Sequence, residues 1–191
     1  MSLLPFCEWL AGTPWSIALH ESLYVYPLVE TTHVLSLMLF VGTVSLVDLR
    51  LLGWAFREVP VSEMTSRLLP YTVAGFAIAA TTGLLLFYAI PVRTYHSVFF
   101  RVKVVLLVAA GLNAFLHHRR VSAAVPSWDA DPRPPRRTRI TGAVSLAAWA
   151  LVIVMGRMIA YNWFDCDQEP LPGIVRWAAG CVADPPEAGG S

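Results

Sequence analysis

Charged residues are scarce in this chain, and they are missing from particular stretches. Only 14% of its 191 residues are Asp, Glu, Lys or Arg and 56% are hydrophobic, whereas a soluble domain carries about 25% charged residues. This uneven distribution is typical of membrane proteins. The net charge of +1 gives no bulk electrostatic attraction for nucleic acid, so we expect no nucleic-acid partner.

Lysine is almost absent. Lys103 is the single lysine, and the other thirteen cationic residues are arginine. It lies in an apolar run over residues 97–116, where a charge costs about 2.5–3.5 kcal/mol on insertion scales. Such residues usually face a bundle interior or a cavity. Lys103 therefore marks a candidate functional site.

Recognisable catalytic motifs are also missing. The chain has no phosphate-binding glycine loop, no nucleophile-elbow pattern and no HExxH, so we predict no catalytic residues and leave open whether it is an enzyme. Three cysteines without clustered histidines make a poor zinc site, and no metal site is predicted.

Four apolar segments dominate the remainder. Each has about 20 residues or more, enough to span a hydrocarbon core of about 30 Å. They cover about residues 23–47, 69–90, 97–116 and 140–161. A spanning segment must satisfy its own backbone hydrogen bonds, so all four should be helices. We predict an all-α, up-down-up-down, integral membrane four-helix bundle over residues 23–162. Residues 1–22 and 163–191 flank it, the first with a possible interfacial helix.

Arginine distribution predicts the orientation. The connections between the first and second segments and between the third and fourth carry nine arginines: Arg50, Arg57, Arg67, Arg119, Arg120, Arg133, Arg136, Arg137 and Arg139. No Lys or Arg precedes Leu23, and the C-terminal tail has only Arg176. The positive-inside rule then places both termini outside, N-out/C-out, in a bacterial inner membrane. The proline- and arginine-rich stretch from Val121 to Thr138 is expected to be irregular.

The three cysteines all fall on the predicted outer side, where disulfides persist. Cys166 and Cys181 bracket a short tail segment, so we predict that they pair and that Cys7 is free. Three unpaired thiols are the alternative.

Polar residues interrupt three of the four apolar segments. Tyr26, Glu30 and His33 share one face of the first helix, with a kink expected at Pro27. In the third segment His96 and Lys103 are seven residues apart and should share a face. Arg101 points nearly the opposite way and should snorkel to the outer surface.

The polar residues of the different helices are predicted to lie at similar depths in the bilayer. Alternate helices run in opposite directions, so Glu30, His33, Lys103 and Arg157 all fall in the outer half of the bundle. An ion pair of Glu30 with Lys103 or Arg157 that only orders helix packing is one interpretation.

A b-type haem is the leading functional hypothesis. Such a site needs one or two axial histidines on facing helices and cations near the propionates. His33 and His96 are the candidate ligands, with His20 as a substitute for His33. Lys103, Arg101 or Arg157 would lie near the propionates. The chain would then be an electron-transfer or membrane-anchor subunit with a redox or other membrane-complex partner.

Two alternatives stay open. One is a non-haem carrier or receptor in which Glu30, His33 and Lys103 handle a proton, a metal ion or a small anion. The other is an accessory structural membrane subunit.

Several short motifs carry a resemblance. They are Glu21-Ser22, Tyr26-Pro27, an E-x-x-H formed by Glu30 and His33, D-L-R-L-L-G over residues 48–53, and G-R-M-I-A-Y over residues 156–161. Over most of residues 16–162 the chain resembles a bacterial family of small four-helix integral membrane proteins of unassigned function. The resemblance implies the fold and carries no activity. Asp48 and Arg50 are interpreted as a charged helix end at the headgroup level.

Overall fold

Eight helices form in the part of the chain that the computed structural model describes, which is residues 3–124, 127–161, 172–179 and 181. They are α1 (Leu4–Ala11), α2 (Pro14–His20), α3 (Val25–Leu52), α4 (Val61–Ala89), α5 (Pro91–His96), α6 (Val98–Ala124), α7 (Arg136–Ile159) and α8 (Gly173–Ala179). Four of them, α3, α4, α6 and α7, are long and apolar enough to cross a membrane. The four predicted spans are confirmed.

Helix bounds differ from the predicted spans mainly where polar residues continue a helix. Helix α3 runs on to Leu52 and ends at Gly53, whose φ of 70° is the left-handed conformation of a helix C-cap. Helix α4 begins at Val61, well before residue 69. Because α6 continues to Ala124 and α7 begins at Arg136, the irregular stretch predicted from Val121 to Thr138 is wrong at both of its ends.

The structure differs from the sequence-based predictions at two prolines and at one helix break. Pro27 lies in the first turn of α3, where proline removes no helical hydrogen bond, so no kink is required there. The proline inside a helix is Pro70 of α4. His96 ends the short helix α5, and extended backbone at Ser97 separates it from α6. His96 and Lys103 therefore do not share a face of one continuous helix.

Small residues let α3 and α4 approach closely. A Cβ atom on Gly75 would lie only 2.9 Å from the backbone nitrogen of Phe40. Nearby, the Thr72 hydroxyl donates to the Thr43 hydroxyl at 2.8 Å. Small residues and interhelical hydrogen bonds replace the hydrophobic effect as the source of helix association in a membrane.

Helix α7 lies between α3 and α6 and completes the core. The rings of Phe40 and Trp149 meet edge to face with centroids 4.7 Å apart, and Ala110, Ala148 and Val152 pack around them. The Phe40–Trp149 cluster, as we call these five residues, joins three of the spanning helices.

The bundle has two distinct ends. At the α1 end, short helices cover α4: Ser16 donates its hydroxyl to the Tyr88 carbonyl at 2.7 Å, and the Thr13 hydroxyl lies 2.7 Å from that of Tyr88. The opposite end, which we call the loop end, contains the α3–α4 and α6–α7 connections.

Arg50 holds the loop end together. Its side chain is 0% exposed, and its Nε donates to the Val59 carbonyl at 2.6 Å. Its Nη2 donates to the Asp131 carbonyl at 3.1 Å and more weakly to that of Asp129. Arg50 therefore ties both connections to α3. It is a charged group in the last turn of that helix, as interpreted from the sequence, but its side chain is buried within the protein, and its headgroup level stays a prediction.

The close approach of α3 to Gly75 of α4 predicts that a single added methyl group lowers the stability of the protein. Gly75→Ala should destabilise the protein by about 1–3 kcal/mol, because the new Cβ would meet the rigid backbone of Phe40. Gly111→Ala in α6 is the matched control, since a Cβ there meets nothing within 4 Å and alanine favours the helix. Unfolding of the purified protein in detergent measures both changes. Equal stability of the two variants would contradict the proposed close packing.

Candidate functional site

His33 faces α4 from the α1-end half of α3. Its Nδ1 lies 3.0 Å from the Thr82 hydroxyl oxygen. The ring packs over Gly83, where a Cβ atom would lie 3.2 Å from the His33 Cε1. A glycine at position 83 thus makes the space that the imidazole fills.

Lys103 extends from α6 to the surface of α7. A Cβ on Gly156 would lie 3.3 Å from the Lys103 Nζ, so the ammonium rests against glycine backbone. The side chain is half-buried. Lys103 and His33 are also electrostatic neighbours, so the two ionisable groups belong to one polar region of the bundle.

The Lys103 ammonium has no hydrogen bond or ion pair to any residue that the structure describes. Glu30 is exposed, and no ion pair joins it to Lys103. Arg157 is exposed as well and lies over the ring of Tyr161 at 5.1 Å. The ordering ion pair considered from the sequence is therefore not formed.

Hydrogen bonding around Thr82 defines the orientation of the imidazole. Thr82 donates its hydroxyl hydrogen to the Ile78 carbonyl at 2.7 Å, and in the tautomer that carries the proton on Nδ1 its oxygen accepts from the Nδ1–H of His33. In a neutral ring the Nε2 of His33 is then a lone-pair acceptor. The site thus combines a cation, Lys103, with a nitrogen that can accept a proton.

The other predicted members of the polar cluster lie nearer the surface. Tyr26 interacts electrostatically with Glu30 and Arg93. The ring of His20 packs edge-on against that of Tyr26, with centroids 6.1 Å apart. His20 is exposed.

His96 and Arg101 contact helix α8. The His96 Nδ1 lies 3.2 Å from the Ala179 carbonyl oxygen. Arg101 donates to the carbonyls of Ala178 at 2.7 Å, Ala179 at 2.9 Å and Tyr95 at 3.1 Å. The expected snorkelling of Arg101 is wrong, because its guanidinium caps the last carbonyls of α8.

The three candidate haem ligands thus have three different neighbours. His33 faces Thr82, His96 faces Ala179 and His20 faces Tyr26. The described residues contain no group of three or more His, Cys, Asp or Glu side chains placed to hold a metal ion.

Of the cysteines, Cys7 is a free thiol that is 2% exposed. Burial raises the pKa of this thiol, and the nearby Glu8 raises it further. Cys166 lies outside the described residues, so its pairing with Cys181 stays a prediction.

Several site residues carried little sequence signal. Thr82, Gly83 and Gly156 contact the two ionisable groups, and their one signal is that they are small or hydroxylated residues inside apolar helices. Near the loop end, Asp48 is 5% exposed and hydrogen-bonds Ser145, while its Oδ2 has no partner in the described structure. Asp48 is thus buried within the protein, and its headgroup level stays a prediction.

Four apolar helices around a small polar interior define a multi-pass membrane protein. Within that class the chain belongs to DUF6644, a family of unknown function that matches residues 20–162. The match covers the four spanning helices and excludes α1 and α8. It agrees with the resemblance to a family of unassigned function. Comparison with curated proteins and with solved structures found no match.

The contacts of Arg101 predict that it holds α8 in place. Arg101→Gln removes a charged donor from two α8 carbonyls, so α8 should unfold locally more often. Trypsin cleavage after the exposed Arg176 of α8 should then be faster by about tenfold or more, since a hydrogen bond to a charged group contributes about 1.5–3 kcal/mol. Arg157→Gln is the control, because it removes a cation with no contact to α8. Unchanged cleavage in Arg101→Gln would disprove the role.

Proposed function

We propose that this protein is a bacterial inner-membrane bundle that binds a small weak acid in its outer half. Lys103 contacts the anionic group, and the Nε2 of His33 holds or accepts the proton. The observation that carries the proposal is the ammonium of Lys103, which has no ion pair or hydrogen bond among the described residues and is an electrostatic neighbour of the His33 imidazole.

We propose an up-down-up-down topology with both termini outside. The order of contacts along the helices supports it: His33 meets Thr82 whereas Phe40 meets Gly75, so α3 and α4 run in opposite directions. Arginine-bearing connections at the loop end support an inner location for that end. The α1 end, with Lys103 and His33, is then outer.

The cost of an isolated cation supports an anionic ligand. A buried charge without a partner is destabilising in a low-dielectric surrounding, and an opposite charge offsets this penalty. Glu30 does not supply that charge. Because Gly83 and Gly156 border the two ionisable groups, no bulky side chain stands on either helix at these points.

The proton role follows from the orientation of His33. Its Nδ1–H is directed to Thr82, so the remaining nitrogen can accept a hydrogen bond from an acid or take up its proton. A weak acid supplies both parts, a proton for His33 and an anion for Lys103. The anion of a strong acid, such as chloride, supplies the negative charge for Lys103 but no proton for His33.

Ligand-induced stabilisation tests the role of Lys103. Acetate at a hundred times its Kd should stabilise the detergent-purified protein by about 2.7 kcal/mol, read as a rise in Tm. Lys103→Met should abolish this rise and leave the unliganded protein folded, since it removes the desolvation cost of a half-buried charge that has no partner among the described residues.

The matched control is Arg157→Met, which removes an exposed cation from the same half of the bundle. It should keep the acetate effect. The proposal fails if acetate stabilises Lys103→Met as strongly as it stabilises the unaltered protein.

A single haem b remains the second candidate. The hydrogen bond between the Nδ1 of His33 and Thr82 favours haem binding. In metal sites, one ring nitrogen of a histidine commonly makes such a hydrogen bond, which orients the ring, while the other nitrogen binds the metal. Haem would supply one-electron redox chemistry. Arg101 is committed to backbone carbonyls, so Lys103 and Arg157 are the cations left for propionates. An electron-transfer role would require a redox partner.

Visible absorption of protein expressed with ample haem tests this candidate. A Soret band that is lost in His33→Ala would support it, and His96→Ala and His20→Ala would identify any second ligand. Protein without haem bands would rule it out. Failure of both acid binding and haem binding would leave the accessory structural subunit.

A further inference from the structure

An apolar cavity of about 430 Å³ lies at the α1 end of the bundle. It is lined mainly by Leu3, Phe6, Cys7, Phe87, Phe100 and Val104. Its volume is within the range of small-molecule sites, about 300–1,000 Å³. Nothing described so far assigns it a ligand.

The cavity lies one helical turn from the Lys103–His33 site on two separate helices. On α4, Phe87 follows Gly83 by four residues, and Gly83 contacts the His33 ring. On α6, Phe100 precedes Lys103 by three residues. Residues three or four apart lie on the same side of a helix, so Phe87 and Phe100 are the lining residues nearest the site, although Lys103 and His33 do not themselves line the cavity. The stacked rings of Phe87 and Phe100, 5.7 Å apart, border the cavity.

The lining is suited to hydrocarbon. Arg101 is the charged residue of the lining, but its guanidinium is engaged by three backbone carbonyls. The Cys7 thiol is a weak hydrogen-bonding group. A polar ligand would find few partners here, whereas an alkyl chain needs none.

We propose that the ligand is an amphiphilic monoacid whose carboxylate contacts Lys103 and whose hydrocarbon chain occupies this cavity. The inference rests on the proposed function for its head group and goes beyond it by naming the ligand class. Charge complementarity supports it: Lys103, which has no acidic partner among the described residues, lies one helical turn from Phe100 of the cavity lining. The chain runs from Lys103 towards the α1 end, past Phe87 and Phe100.

Octanoate, acetate and octan-1-ol are the probes, with the full-length protein in detergent. Octanoate should bind more than tenfold tighter than acetate, because each buried methylene contributes about fourfold in Kd. It should also slow alkylation of Cys7 by N-ethylmaleimide, since Cys7 lines the cavity. Peptide mass spectrometry assigns the adduct, and Cys7→Ser is the blank.

Val104→Trp fills the cavity and should remove the advantage of octanoate while acetate still binds. Its matched control is Val105→Trp, on the neighbouring position, which is 68% exposed and does not line the cavity. Octanoate partitions into the detergent in the same way whichever variant is present. A difference in octanoate affinity between the two variants therefore reports binding in the cavity. If Val104→Trp does not fold, the protection from alkylation that octanoate gives Cys7 in the unaltered protein tests whether the hydrocarbon chain occupies the cavity.

The outcomes separate the two proposals. Equal affinity for acetate and octanoate with no protection of Cys7 overturns the amphiphile inference and leaves the acid site standing. Octanoate and octan-1-ol binding equally, and undiminished in Lys103→Met, overturns the role of Lys103. Binding of none of the three probes overturns both.

Discussion

An ammonium group inside an apolar bundle is the constraint on which the polar part of this structure depends. Lys103 is held against the backbone of Gly156 and is an electrostatic neighbour of His33, without an acidic partner among the described residues. In water such a charge is fully hydrated, but between apolar helices it needs a counter-charge or a polar ligand. The arrangement is costly as a packing device and suitable as a binding site.

Glycine positions make that arrangement possible. Gly75 brings α4 against the backbone of α3, and Gly83 on the same helix receives the ring of His33. Gly156 does the same for the Lys103 ammonium on α7. Small residues therefore have two functions: they allow close helix packing, which membrane helices need, and they make space for the two ionisable groups.

The spanning helices were predictable because lipid forces each segment to satisfy its own backbone, so apolar length alone reveals it. The packing of Lys103 against a neighbouring helix was predictable from the cost of its charge. The partner of His96 was not, because it depends on a helix break at Ser97 and on α8 returning from the tail. The contacts of Arg50 were not predictable for a similar reason: its acceptors are loop carbonyls distant in sequence, and no periodicity encodes them.

The apolar core constrains how a ligand could reach the proposed site. The Phe40–Trp149 cluster separates the level of Lys103 from that of Asp48, which lies near the loop end with Ser145. Lys103 and Ala110 share one face of α6, about 10 Å apart along the helix axis, so the apolar layer begins within two turns of the ammonium. A hydrated acid at Lys103 would have to lose its water to pass that layer. The same layer excludes water from below the site and strengthens each polar contact within it. For the proposed acid ligand, this arrangement would favour entry and exit at the α1 end.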